Sequence, residues 1–237
     1  MRELLKSLKR LIEKIVRSTA RRISEPFNLG GFRKPARYDI DDKLAEYLSP
    51  EGVFIEVGAT DGYTESNTYN LEKYNGWRGV LIEPIPDLYR KCVRERPRSQ
   101  VYNCALVSDD YHGDTVVMKQ GYLMSTVKDA LGEEEKEHLE KARHFHGARA
   151  EEITVPARTL TSILDEAGVT HIDFFSLDVE GYEHNVLRGL DFDRYRPTYM
   201  LIELLDDEKR QEVEKVIASW YEPVAQLSKR DYLYRAK

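Results

Sequence analysis

Cysteine and long apolar runs are scarce in this chain, and both absences narrow what the protein can be. Two cysteines, Cys92 and Cys104, occur among 237 residues, too few for the disulfide framework of a small secreted protein. No stretch approaches the roughly 18 consecutive apolar residues that a membrane-spanning helix requires. Lysine and arginine interrupt the N-terminal region, so the apolar core of a secretory signal peptide is missing. We therefore expect a cytoplasmic protein.

The charge of the chain is unevenly distributed. The formal net charge is -6, but residues 1–37 contain eleven lysines and arginines against three acids. That arm therefore carries about +8, and the remaining residues carry about -14. Because nucleic acid is polyanionic, an acidic body argues against nucleic acid as the main partner.

The basic arm has the pattern of an amphipathic helix. Residues 1–24 place leucine, isoleucine and valine at helical spacing, with lysine and arginine on the other faces. Three alternatives stay open for it: self-association or packing on the body, contact with an anionic membrane surface, or a frayed end. Pro26 and the pair Gly30-Gly31 interrupt the helical pattern. We therefore divide the chain into a helix and linker over 1–38 and one domain over 39–237.

Strands and helices alternate through most of that domain. The predicted strands are Val53–Val57, Gly79–Glu83, Val101–Cys104, Ile172–Leu177 and Tyr199–Ile202. Such alternation predicts an α/β fold with a mostly parallel sheet and right-handed crossovers. The last two predicted strands, Val224–Leu227 and Tyr232–Arg235, have a connection of hairpin length. We therefore expect an antiparallel hairpin to close the sheet.

The region 109–157 departs from this rhythm. It contains predicted strands at Thr115–Lys119 and Glu152–Pro156, with a very polar helical stretch, Ala130–His146, between them. Insertions at the carboxyl edge of a parallel sheet commonly determine which substrate is accepted. We expect this insertion to lie over the ligand crevice, where His144 and His146 could contact the acceptor.

A glycine turn after the first strand predicts the ligand. The pattern Glu56-x-Gly58-x-x-x-Gly62 joins a strand to a predicted helix at Ser66–Tyr74, so backbone N–H groups converge at the turn. It lacks the closely spaced glycines that let a dinucleotide pyrophosphate approach the backbone. Glu83 ends the second strand, where an acid can accept hydrogen bonds from ribose hydroxyls. A ligand with a ribose and no diphosphate fits this turn best.

Several segments together resemble the FkbM-type methyltransferases. They are Phe54–Gly62, Ile82–Pro84, Val155–Leu160, Ser176–Glu183 and Val186–Gly189, within a resemblance that spans about 53–205. The most specific is Ser-Leu-Asp-Val-Glu-Gly-Tyr-Glu at Ser176–Glu183. The resemblance implies a class I, Rossmann-like fold whose seven-stranded sheet ends in the antiparallel hairpin. It also implies S-adenosylmethionine as methyl donor and a hydroxyl of a saccharide, glycolipid, other glycoconjugate or natural product as acceptor.

The resemblance also implies the residues of the donor site. Glu56, Gly58 and Asp61 would line the methionine end, and Glu83 would hold the ribose. Asn103, Cys104 and Ala105 would border the adenine, and Asp178 would lie near donor and acceptor. Ala59, Gly62 and Pro84 complete this predicted cofactor set.

A hydroxyl acceptor must lose its proton, and the sequence leaves alternatives for how this happens. Asp178, Glu180 and Glu203 follow or end neighbouring strands, so they could act as general base or bind a divalent cation such as magnesium. His184 is the alternative base. Glu180 or Glu183 could instead cap the following helix. Two other functions also stay open: a nicotinamide-dependent oxidoreductase, and a non-catalytic scaffold at a membrane surface.

Overall fold

The computed structural model describes residues 16, 19–21, 23–27, 32–120, 126–127 and 151–237. Its main sheet has seven strands. In spatial order they are β3 (Gln100–Tyr102), β2 (Arg78–Ile82), β1 (Val53–Val57), β8 (Phe174–Leu177), β9 (Tyr199–Glu203), β11 (Asp231–Ala236) and β10 (Tyr221–Gln226). The pairs from β3 to β9 are parallel, and β11 pairs antiparallel with both β9 and β10. The predicted α/β fold, with its closing hairpin, is confirmed.

Helices cover both faces of this sheet. They are α1 (Ile40–Leu44), α2 (Tyr69–Tyr74), α3 (Pro86–Glu95), α4 (Leu160–Ala167), α5 (Glu183–Arg188) and α6 (Asp207–Ile217). Thr159 caps α4, because its Oγ1 atom accepts a hydrogen bond from the Ser162 N–H at 3.2 Å. Asp206 caps α6 in the same way through the Lys209 N–H, at 2.9 Å.

Alternation along the strands gives the sheet two apolar faces. On one face, Ile55 and Val57 pack in a cluster with Ile163 of α4. On the other, Phe54 packs with Trp77 and other side chains around α2 and α3. Because each fully buried large apolar side chain contributes about 1.5–3 kcal/mol, these two layers fix the strand ends at which the polar residues lie.

A second, smaller sheet lies beside the first and is formed mostly by the region predicted as an insertion. Its order is β4 (Ala105–Leu106), β7 (Glu151–Arg158), β5 (Thr115–Gln120) and β6 (Thr126–Val127). The strands predicted at 115–119 and 152–156 are thus present as β5 and β7. The predicted helix at 130–146, with His144 and His146, lies outside the described residues.

Several predicted boundaries differ from the structure, and side-chain and strand contacts explain two of them. The helix after the glycine turn begins at Tyr69, not Ser66, because the Ser66 and Thr68 side chains are bound to Glu56. The predicted third strand ends at Tyr102. There Asn103 turns the chain by donating two side-chain hydrogen bonds, and Ala105 pairs instead with Ala157 in the second sheet.

The described part of the basic arm contacts the body. The Arg21 guanidinium lies over the Tyr63 ring, 3.6 Å from its centroid. The Glu25 carboxylate accepts hydrogen bonds from the hydroxyls of Tyr69 and Tyr74. The Tyr63 hydroxyl in turn donates to the Phe32 carbonyl at 3.0 Å. Arg21 and Phe32 therefore hold Tyr63 in the turn that follows β1, and Glu25 holds α2.

The same segment exposes apolar side chains. Val16, Ile23 and Phe27 are 61%, 64% and 74% exposed. Within the described residues, no helix is both long enough and apolar enough to cross a membrane.

Candidate active site

The carboxyl ends of the central parallel strands bring acidic side chains to one edge of the sheet. Asp61 follows β1, Glu83 follows β2, Asp178 follows β8, and Glu203 ends β9. The Asp178 N–H donates to the Val57 carbonyl at 3.1 Å, so the two central strand ends are directly joined. The resulting crevice lies at the carboxyl ends of the strands, where open α/β sheets bind their ligands.

Gly58 permits this close approach. Its φ is +85°, and a Cβ built there would lie 1.9 Å from the Asp178 carbonyl oxygen. No side chain fits that space, and the positive φ is itself unfavourable for residues other than glycine. Ala59, the next residue of the turn, is 1% exposed and belongs to the apolar core.

Glu83 is held at the tip of β2 by backbone donors. Its Oε2 atom accepts from the Thr60 N–H and its Oε1 atom from the Ile85 N–H, each at 2.8 Å. The side chain is 3% exposed. Burial raises the pKa of Glu83 to about 8, against the lowering effect of the two backbone hydrogen bonds. Each carboxylate oxygen has a further lone pair, so Glu83 retains the capacity to accept from ribose hydroxyls.

Glu56 lies in a buried polar network. Its carboxylate accepts hydrogen bonds from Ser66 Oγ at 2.9 Å, Asn67 N at 3.0 Å and Thr68 Oγ1 at 2.7 Å. Arg96 Nη1 adds a fourth contact at 3.3 Å. In the structure, Glu56 thus fixes the chain between the glycine turn and α2. Contact with the methionine end of a donor stays a prediction.

Arg96 is the functional-site residue that sequence reasoning missed. It is 1% exposed, and its Nε atom lies 2.7 Å from Glu72 Oε2. Its Nη1 atom also donates to the Gly62 carbonyl at 3.3 Å. A guanidinium with several fixed donors can tie the glycine turn to two buried carboxylates. No sequence pattern marks it, because Arg96 stands between Arg94 and Arg98 in a polar segment, and nothing in the sequence distinguishes it from them.

Asp61 orders the remainder of the turn. Its Oδ1 atom accepts from the backbone N–H groups of Tyr63 and Thr64, at 3.1 and 2.7 Å. Its Oδ2 atom accepts from Thr64 Oγ1 at 2.9 Å. These bonds leave the partly exposed carboxylate beside the crevice.

The loop after β3 lies against the loop after β2. Asn103 Nδ2 donates to the carbonyls of both Glu83 and Pro84, at 2.9 Å each. Cys104 is 2% exposed, and burial raises the pKa of its thiol to about 12. Ala105 is also buried, at the start of β4. The structure thus brings the predicted adenine-side residues next to the predicted ribose acid; the contacts with adenine stay a prediction.

Asp178, Glu180 and Glu203 form an interacting acidic group, here called the carboxylate cluster. Burial raises the pKa of Asp178 well above its usual range, and the charges of Glu203 and Glu180 raise it further. Burial likewise raises the pKa of Glu180, followed by the charges of Glu203 and Glu183. Arg230 Nη1 lies 3.8 Å from Glu203 Oε1 at the rim. A cluster of this kind favours a bound cation or a retained proton.

The cluster does not form a metal-ligand set as placed. Among the residues that the structure describes, no three His, Cys, Asp or Glu side chains have an arrangement that could hold a metal ion. A divalent cation bound by Asp178, Glu180 and Glu203 stays a prediction.

His184 faces α6. Its Nδ1 atom lies 3.4 Å from Glu212 Oε2, and its Nε2 atom lies 3.0 Å from Asn185 Nδ2. Burial lowers the pKa of His184, with Glu212 opposing this effect. The structure does not bring the imidazole to the carboxylate cluster, and its role as base stays a prediction.

Glu183 is bound within its own loop. Its Oε1 atom accepts from the N–H groups of Val179 and Gly181, at 3.2 and 3.0 Å. Burial raises the pKa of Glu183 to about 7, although these backbone bonds lower it. Of the alternatives left open by the sequence, Glu183 therefore binds the backbone of the loop that precedes α5.

When the seven strands of the main sheet are renumbered 1 to 7 in chain order, their spatial order is 3-2-1-4-5-7-6. This order, with an acid-lined crevice at the carboxyl edge, defines a class I methyltransferase fold. The family model described as "Methyltransferase FkbM domain" matches residues 56–234. The chain belongs to this family of S-adenosylmethionine-dependent methyltransferases, as the sequence motifs predict.

Solved structures with a similar fold are distant in sequence. A TehB-like SAM-dependent methyltransferase from Corynebacterium glutamicum is 10% identical, with a TM-score of 0.44, covering 93% of this chain and 99% of that one. Aeropyrum pernix fibrillarin, with natively bound S-adenosyl-L-methionine, is 15% identical, with a TM-score of 0.40, covering 84% and 76%. A search of curated proteins finds no match. Neither of these two structures identifies the acceptor of this chain.

Proposed function

We propose that the chain transfers the methyl group of S-adenosylmethionine to a hydroxyl oxygen of a saccharide, glycoconjugate or natural product. The observation that carries this proposal is the carboxylate cluster beside the Gly58 turn. Acids with raised pKa at the acceptor side of a methyltransferase crevice suit an acceptor whose proton must be removed.

The residues of the crevice fit the donor by charge and by hydrogen bonding. The donor carries a sulfonium and an ammonium against one carboxylate, a net positive charge, and supplies an electrophilic methyl group when bound. Asp61 and Glu203 give the crevice the opposite sign. Glu83 has the free lone pairs and fixed orientation that ribose hydroxyls require.

Asp178 is the residue to which we assign proton removal. Its carboxylate accepts the proton of the acceptor hydroxyl, the oxygen forms a bond to the methyl carbon, and the carbon–sulfur bond breaks to leave a neutral thioether. In its ionised form, Asp178 with its raised pKa is a stronger base than an exposed aspartate. Glu180 lies beside it on the acceptor side. The alignment of acceptor oxygen and methyl carbon supplies the rest of the acceleration.

The test is a transfer assay with purified full-length protein and donor labelled in its methyl group. The acceptors are a panel of glycans, glycolipids and hydroxylated natural products, each tried with and without chelator. We expect label on an acceptor oxygen with the wild type and loss of transfer in Asp178→Asn. Asp193→Asn is the matched control, because Asp193 is exposed and precedes β9 at the opposite edge of the sheet.

Label on nitrogen or carbon, or full activity in Asp178→Asn, would contradict the proposal. Loss of activity with chelator would assign the activation to a divalent cation instead of the carboxylate alone.

A further inference from the structure

The loop between β8 and α5 contains a residue in an unfavourable backbone conformation. Glu180 has φ +54°, in the left-handed region, where a residue with a side chain is strained. Gly181 follows with φ +95°. A strained residue beside a reaction crevice persists only when the surrounding structure holds it in place.

Glu183 stabilises this loop conformation. It is 1% exposed, and its Oε1 atom accepts hydrogen bonds from Val179 N and Gly181 N. These two N–H groups belong to the residues on either side of Glu180. The two backbone N–H groups bound by Glu183 Oε1 thus flank Glu180, which is the one residue between them.

The position of Glu180 is also electrostatically unfavourable, because its carboxylate is buried near other acids. Burial raises the pKa of Glu180, the charges of Glu203, Glu183 and Glu65 raise it further, and the charge of Arg230 opposes them. A glycine at position 180 would remove both the strain and the repulsion. A glutamate there gives the loop a carboxylate beside Asp178 instead.

We propose that Glu183 is a positioning residue that holds Glu180 in its left-handed conformation at the acceptor side of the crevice. This inference rests on the proposed function, because Glu180 is assigned there to the acceptor side. Glu183 acts through Glu180 and the loop backbone and does not touch the acceptor.

The test is a double-mutant cycle on kcat with full-length protein and the best acceptor from the panel. Glu183→Ala removes the acceptor of both backbone bonds, and we expect kcat to fall by about 10- to 100-fold, with the donor Kd unchanged within about twofold. Glu183→Gln keeps an acceptor oxygen at the same place and should restore kcat to within about fivefold of wild type. In the Glu180→Gln background, Glu183→Ala should cost less than about threefold. Glu51→Gln, an exposed glutamate before β1, is the control.

Equal losses from Glu183→Ala in the two backgrounds would overturn the proposal, as would failure of Glu183→Gln to restore kcat. A thermal measurement covers the case in which Glu183→Ala does not fold. Glu180→Gly should raise Tm while lowering kcat, because it releases the strain and removes the carboxylate; a lower Tm would overturn the proposal. Wild-type protein that transfers no methyl group would refute the proposed function, and the Tm of Glu180→Gly would still decide whether Glu180 is held under strain.

Discussion

Gly58→Ala tests the central geometry of the crevice most directly. The new Cβ would lie 1.9 Å from the Asp178 carbonyl oxygen, a backbone atom that no rotamer change can move. The ends of β1 and β8 would have to separate, because ordinary contacts of a Cβ begin at about 3.4 Å. Gly76→Ala is a matched control. Gly76 also has a positive φ, +75°, but no atom lies within 4 Å of its Cβ position.

Both variants place alanine in a left-handed conformation, but only Gly58→Ala also creates a steric clash. Alanine in the left-handed region costs about 1–2 kcal/mol at either position. The clash at position 58 adds about 1–3 kcal/mol, near the upper end because its partner is backbone. For a chain of this length, 1 kcal/mol corresponds to roughly 2–4 °C in Tm. We therefore expect the Tm of Gly58→Ala to lie about 6–12 °C below that of Gly76→Ala.

Activity should separate the variants further. A displacement of about 1 Å in a reacting group costs on the order of 100-fold in rate, so kcat should fall by that factor in Gly58→Ala and stay near wild type in Gly76→Ala. Differential scanning calorimetry and the transfer assay measure the two quantities. Equal Tm losses, or equal kcat values, would refute the reasoning that β1 and β8 meet at this glycine.

Four further results are expected. Asp178→Asn should lower kcat by at least about 100-fold with donor Kd within about threefold of wild type, by titration calorimetry; a purely weakened Kd would contradict the assignment. Glu83→Ala should weaken donor and demethylated product alike, by about 10- to 100-fold, since lost ribose hydrogen bonds are common to both; unchanged affinity would exclude Glu83 from the donor site. Because the folded-state pKa of Glu83 is raised from 4.5 to about 8, its neutral form is favoured by folding. Its stabilising contribution is complete below pH 4.5 and is lost as pH rises toward 8, so the Tm difference between wild type and Glu83→Gln should change over that window; a pH-independent difference would contradict the raised pKa. Arg96→Met should destabilise by about 3–5 kcal/mol in denaturant titration, because two buried carboxylates lose their cation; a loss under about 1 kcal/mol would show that the network is not essential.

The fold was accessible from the sequence because its signals are local. Each parallel strand reads as an apolar run, and each helix between them constrains the crossover direction. The acids at positions 83, 178 and 203 could be placed together for the same reason, since carboxyl ends of parallel strands share an edge. The closing hairpin followed from two short runs and a four-residue connection.

The missed features all depend on contacts between distant segments. Ser66 and Thr68 have acceptable helical surroundings in sequence, but Glu56, on a strand, captures their hydroxyls. The third predicted strand breaks at Asn103 because Ala105 finds its partner at Ala157, in another sheet.

The directions of the side chains were the second feature that could not be predicted from the sequence. The orientation of His184 toward Glu212 depends on how α5 packs on α6, which spacing alone does not define. Arg96 is similar, because its partners Glu56 and Glu72 are 40 and 24 positions away. Such networks become visible only when the fold brings the segments together.

The contact between the N-terminal arm and Tyr63 couples two regions that are far apart in sequence. Arg21 covers the Tyr63 ring, and Arg37 pairs with Glu65 at 3.2 Å, so the arm holds both sides of the Tyr63–Glu65 segment next to Asp61. An event that lifts Arg21 and Arg37 from the body would also loosen the chain beside the donor crevice. By thermodynamic reciprocity, a donor that orders this segment would strengthen the seating of the arm by the same free energy. In that case the occupancy of the crevice and the position of the arm would be thermodynamically linked.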